Sequence, residues 1–191
     1  MIYETIISTL DTLGSVHVTP FGISMQDGLV VISPFKPSTT LENILATGCA
    51  VMNLTDDVRV FAGALTGRNE WSLVPADKIN GFRLADSLAH KELRLVEVKR
   101  DDVRPQLWMQ VVHEAQHQAF QGFNRAQAAV IELAVLVSRL KRLPMEKITQ
   151  EVAYLTIAIE KTAGLRELEA WSWLIEAVNN HQASMNGENL A

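Results

Sequence analysis

The chain has 191 residues, of which 48% are hydrophobic and 20% charged, and a formal net charge of −5. That length allows one large domain, or a small one with an appendage, and buries roughly 70% of the unfolded surface. The composition excludes a disordered chain, and the acidic balance argues against a nucleic-acid partner, which needs a basic face against its phosphates.

The opening residues carry Glu4 and Asp11 without a basic cluster, so no secretory signal is expected. No run approaches the about 20 apolar residues of a membrane span, so no membrane partner is expected. The single cysteine, Cys49, permits no internal disulfide and suits a reducing cytoplasm. Ile2–Leu10 reads as a strand, Asp11–Ser15 as a turn around Gly14, and Val16–Met25 as a second strand. Gln26-Asp27-Gly28 is a tight turn signal, and Leu29–Phe35 follows as a third strand. Two hairpins so close together point to an antiparallel meander or barrel rather than a βαβ fold. Thr39 and Glu42 fit a capping box and Gly48 a helix terminator, which predicts a helix over about 40–47.

Cys49–Leu54 is a further apolar strand, after which Thr55, Asp56 and Asp57 can cap a helical turn over Val58–Leu65. Glu92–Lys99 reads as a strand whose apolar positions change parity, from Leu93 and Leu95 to Val96 and Val98, which points to a bulge or a two-sided environment. Leu107–Val112 is another strand. Beyond Gly122 the spacing becomes helical. Asn124 caps a helix to about Leu143, ended by Pro144, with Ala126, Val130, Leu133, Val137 and Leu140 three or four apart. A second helix carries Ile148, Val152, Leu155 and Ile159 and stops at Gly164; a third runs from Leu165 to about Asn179. The expected fold class is α+β. An antiparallel β-barrel of about six strands with short helices spans 1–120, a three-helix extension 121–185, and a frayed polar tail 186–191.

His113-Glu114-Ala115-Gln116-His117 satisfies the His-Glu-x-x-His pattern of zinc proteases. That chemistry needs a helix, because only there does an i, i+4 spacing put both imidazoles on one face toward a metal. The preceding run is β-rich, and an extended strand would hold the two histidines about 13 Å apart. No metal ligand is therefore assigned, and a zinc hydrolase using this run is kept only as an alternative.

Three other segments carry chemistry. In Phe35–Asn43, Lys36 and the hydroxyls of Ser38, Thr39 and Thr40 meet at a helix start, where free N–H groups and the macrodipole favour a phosphate. Plain capping explains the same residues without a ligand. Asn53, Leu54, Thr55 and Asp56 end an apolar strand with groups able to bond a heterocycle edge or simply to make a turn. Thr19, Pro20, Phe21 and Gly22 offer backbone groups and a glycine that permits close approach.

Together, His17-Val18-Thr19-Pro20, then SPFKPSTTLENI, then AVMNLTDD resemble the FMN-binding split barrel of flavin reductases and pyridoxamine-phosphate-oxidase-like proteins. Gly122-Phe123-Asn124-Arg125-Ala126 is similar to the stretch that opens the helical extension of an uncharacterised branch of that superfamily. The resemblance implies a split barrel and a homodimer with FMN near the subunit interface. It also implies an oxidoreductase passing electrons between a nicotinamide-type donor and a small acceptor, or else a non-catalytic flavin sensor that docks a partner through its helices. On this resemblance Lys36, Ser38, Thr39 and Thr40 hold the FMN phosphate, and Thr19–Gly22 and Asn53–Asp56 line the ring. Arg125, at the start of its helix, is placed to reach a phosphate or a substrate anion, or equally to pair with a nearby carboxylate. No residue is named as a catalytic acid or base.

Overall fold

The structure is a computed structural model that describes residues 1–188. Contacts divide the chain into two units, Met1–Asp56 with Glu70–Phe120, and Asp57–Asn69 with the helices from Gln121 onward.

In the first unit, period-two alternation produces β1 (Ile2–Leu10), β2 (Val16–Gln26), β3 (Leu29–Ile32), β4 (Cys49–Leu54), β7 (Ala89–Lys99) and β8 (Gln106–Gln116). They close into an antiparallel barrel in the order β1-β2-β3-β8-β7-β4. The β2–β3 turn has positive φ at both Asp27 (51°) and Gly28 (77°), the handedness that matches strand twist in a two-residue hairpin. Ile7, Ile23, Val30, Ile32, Met52, Leu93, Leu107 and Met109 fill the interior, each worth about 1.5–3 kcal/mol of burial. Leu41 and Ile44 from helix α1 (Thr39–Thr47) join that core.

The parity change expected in the 92–99 strand is present as register shifts at Glu92/Leu93 and Leu95/Glu97. Two short strands had no sequence signal: β5 (Leu73–Pro75) and β6 (Phe82–Leu84), which form a separate two-stranded sheet. The third strand stops at Ile32 rather than Phe35, because the chain from Ser33 is tied to residues 101–104 instead of to a neighbouring strand. Helix α1 is capped by Ser38, whose Oγ accepts from Leu41 N at 3.3 Å, so the expected Thr39–Glu42 capping box does not form.

The second unit comprises α2 (Arg59–Thr66), α3 (Arg125–Val137), α4 (Met145–Thr162) and α5 (Leu165–Glu188). Its core is Val58, Ala62, Ala126, Ala129, Val130, Leu133, Ile148, Ile159, Ala170 and Leu174. Helix α2, which the sequence places within 1–120, contributes Ala62, and the residue that caps it, Val58, to this core rather than to the barrel's. Asn124 caps α3 as expected, its Oδ1 accepting from Ala126 N at 2.7 Å. The helix ends at Val137, well short of Leu143. Residues 138–143 continue as tight turns with three-residue bonds such as Arg139 N to Leu136 O and Arg142 N to Arg139 O. Leu140 kept the apolar spacing, which is why the sequence reads on past the true end. Helix α5 runs to Glu188, and residues 189–191 of the tail expected over 186–191 lie outside the described residues. Among the described residues, no helix is long and apolar enough to cross a membrane.

Candidate functional site

The Lys36–Thr40 segment is positioned by a strap. Lys36 N donates to Val103 O and its Nζ to Asp101 O, both at 2.9 Å. Asp101 is itself fixed by the backbone N–H groups of Arg104 (2.6 Å) and Val103 (2.8 Å), which with the Lys36 charge hold its carboxyl below the ordinary range. Arg104 Nε donates to Ser33 O at 3.0 Å, and its guanidinium lies 4.7 Å from the Phe35 ring centroid. Arg104 was missed in the sequence because nothing local links it to residue 35.

The strap leads into the start of α1. Ser38 takes up Leu41 N through its side chain and Glu42 N through its carbonyl, leaving the N–H groups of Thr39 and Thr40 without an intrahelical acceptor. Neither threonine hydroxyl has a hydrogen-bond partner among the described residues. Thr39 is exposed and Thr40 buried. Asn43, one turn on, anchors the helix by donating to Thr9 Oγ1 at 3.0 Å. Two unsatisfied N–H groups, two unengaged hydroxyls and a fixed lysine make this a fit for a phosphate.

On the outer barrel face, Gly22 lines a groove of about 210 Å³ with Ile2, Ser24, Val31, Ser33 and Arg104. The groove thus shares Arg104 with the Phe35–Lys36 segment. A Cβ on Gly22 would sit 3.0 Å from Ile2 Cγ2 and 3.3 Å from Glu4 Oε1, side-chain atoms of β1 that would have to give by a few tenths of an ångström. Of the other β2 candidates, Phe21 packs against the barrel interior, while Thr19 and Pro20 are half-buried opposite Ile7 and Ile6.

The Asn53–Asp56 run is split by strand alternation. Leu54 faces a cavity of about 330 Å³ lined by Thr5, Ile23, Met52 and Lys91. Asn53 points the other way and is fully buried: its Oδ1 accepts from Leu84 N at 2.8 Å, and its Nδ2 donates to Ser8 Oγ and Ile6 O. Thr55 and Asp56 are half-buried. Arg125 is exposed in the first turn of α3, in the helical unit.

The His113–His117 run lies on β8 and just past it, so no helical histidine pair forms. His90 on β7 pairs with Ala115 in register, which makes His113 and His117 its diagonal neighbours on one face. Burial pushes the His117 imidazole below its usual value, helped by Arg83 and His90. Burial opposes ionisation of Glu92, yet N–H groups of Asp77, Lys78 and Ile79 at 2.6–2.9 Å, together with His90, hold its carboxyl below the ordinary range.

Two family models match, described as Protein of unknown function (DUF447): the N-terminal domain over residues 3–118 and a second segment over 124–176. The chain belongs to the DUF447 family. Among solved structures it is similar to the FMN-bound DUF447 protein MM1853 of Methanosarcina mazei, at 22% identity and a TM-score of 0.78, covering 92% of this chain and 94% of that one. It is also similar to nitrilotriacetate monooxygenase component B of Mycobacterium thermoresistibile, at 20% identity and a TM-score of 0.53, covering 62% and 70%. Flavoredoxin of Desulfovibrio vulgaris gives 13% identity and a TM-score of 0.53 over 61% and 70%. The shared feature is the split-barrel fold, which this DUF447 chain adopts.

Proposed function

We propose that this DUF447 protein is an FMN-binding flavoprotein that passes electrons between a nicotinamide-type donor and a small acceptor. The observation that carries the reading is the start of α1, where the N–H groups of Thr39 and Thr40 lack an intrahelical acceptor and their hydroxyls a partner among the described residues, just after a strapped Lys36. The FMN bound to MM1853, of the same family, supports it. FMN, when bound, supplies the electron-transfer chemistry, and the chain supplies position and charge. Thr39 and Thr40 donate to the phosphate, with Lys36 and Arg104 balancing its charge. The groove of Gly22, Ser33 and Arg104 is the surface offered to the rest of the cofactor. No side chain is given a proton-transfer role.

The reading includes a homodimer with the flavin near its interface. The groove's 210 Å³ is smaller than the about 300–1,000 Å³ of cavities that enclose a small ligand, a size that suits a wall completed by a second chain. Ile2, which lines the groove, and Phe35, beneath the Arg104 guanidinium, are exposed by 67% and 60%, apolar surface that a second copy would cover.

The test is fluorescence titration of FMN against the wild type and a Thr39→Val, Thr40→Val double variant. Valine keeps the shape and removes two donors to a charged group, each worth about 1.5–3 kcal/mol. A loss of affinity of at least tenfold is expected, and unchanged affinity would exclude this turn as the phosphate site. Steady NADH or NADPH oxidation by the FMN-loaded protein supports the oxidoreductase. Flavin binding without turnover supports a sensor instead.

A further inference from the structure

We propose that Asp77, His90, Glu92 and His113 form a closed binding site for one divalent transition-metal ion, zinc by preference, that clips the 77–79 segment to the outer face of the barrel. It is independent of the flavin reading and does not use the His-Glu-x-x-His pattern: His113 is its only member from that run.

The four ligand atoms all lie within 4.8 Å of one another. Zinc bonds of about 2.0–2.2 Å at the tetrahedral angle place neighbouring donors about 3.4 Å apart. His90 Nε2 is 3.3 Å from Glu92 Oε1, His113 Nε2 is 3.3 Å from Asp77 Oδ2, and His90 Nε2 is 3.9 Å from the same Asp77 oxygen. Three edges are therefore close to the required spacing. The Asp77 side chain is 59% exposed and free to close the rest. Two imidazole nitrogens and two carboxylate oxygens are a donor set that zinc accepts, and four protein ligands leave no open position, as in structural sites.

The surroundings fit ligation. His90 is wholly buried, and its other nitrogen, Nδ1, lies 2.9 Å from His117 Nε2. A ligating histidine needs such a partner on its second nitrogen to fix ring orientation. Glu92 Oε1 takes one backbone N–H, from Asp77, and keeps a lone pair toward His90. Two carboxylates converge on a single imidazole nitrogen that carries at most one proton. A cation among them satisfies both.

The experiment uses the full chain, stripped with chelator and titrated with Zn²⁺ by calorimetry, with Co²⁺ as a spectroscopic substitute. One Zn²⁺ per chain, Co²⁺ absorption of tetrahedral type, and a thermal midpoint raised by Zn²⁺ are expected. Asp77→Asn with His113→Ala, both at accessible positions, should weaken Zn²⁺ binding at least 100-fold, and His117→Ala about 10- to 100-fold. Failure to take up Zn²⁺ at micromolar concentration overturns the proposal, as does affinity unchanged in the Asp77/His113 variant. Should that variant misfold, octahedral-type Co²⁺ absorption in the wild type overturns it equally.

Discussion

Glu92→Gln is expected to destabilise the barrel unit by about 3 kcal/mol, measured by urea denaturation in protein kept free of divalent metal. The substitution is nearly isosteric, so packing contributes little and the loss reports charge and hydrogen bonding. The carboxylate is fully buried and accepts three backbone N–H groups, from Asp77 at 2.6 Å, Lys78 at 2.7 Å and Ile79 at 2.9 Å. Bonds to a charged acceptor are worth about 1.5–3 kcal/mol each, and a buried donor left unmatched costs about 1–3 kcal/mol. A glutamine keeps one oxygen and turns an NH₂ toward donors that need an acceptor. A change below about 1 kcal/mol would mean that the 77–79 segment is not held by Glu92.

Asn53→Ala is expected to cost about 2–4 kcal/mol while leaving FMN affinity per folded molecule within threefold of wild type. Both ends of this amide are engaged: Leu84 N donates to Oδ1, and Nδ2 bonds Ser8 Oγ at 3.1 Å and Ile6 O at 3.2 Å. The side chain thereby pins β6 to β4 and β1. Alanine strands the buried Leu84 N–H and opens a small void. Denaturation measures the first effect and flavin titration of the folded fraction the second. A tenfold loss of FMN affinity at unchanged stability would return Asn53 to the ring-lining role that the sequence suggests.

The barrel was legible where local chemistry decides the outcome. Alternation defined β1 and β2, the Asp27-Gly28 turn joined β2 to β3, and the Leu95–Val96 parity change announced a bulge. Gly48 and Asn124 marked helix ends because a left-handed residue and an Asx cap are local devices. What stayed hidden depends on pairing at a distance. β5 and β6 are three residues each, too short for a period to show. Arg104 reaches Phe35 only because the 101–104 loop folds over the 33–36 segment. His90, Glu92 and His113 each alternate within their own strands, but their common face follows from the β7–β8 register, shifted at Glu92/Leu93 by a bulge. Asn53 and Leu54 are adjacent in sequence and face opposite sides of one strand, so a run of polar residues was read as one site where the sheet makes two environments.

A single comparison bears most directly on the central claim that the start of α1 binds the cofactor's phosphate: parallel equilibrium titrations of the full chain with FMN and with riboflavin, which differ by that phosphate alone. FMN binding at least tenfold tighter than riboflavin, with the preference weakening as salt is raised, is the predicted result. Equal affinities for the two flavins, or no binding of either, would contradict it.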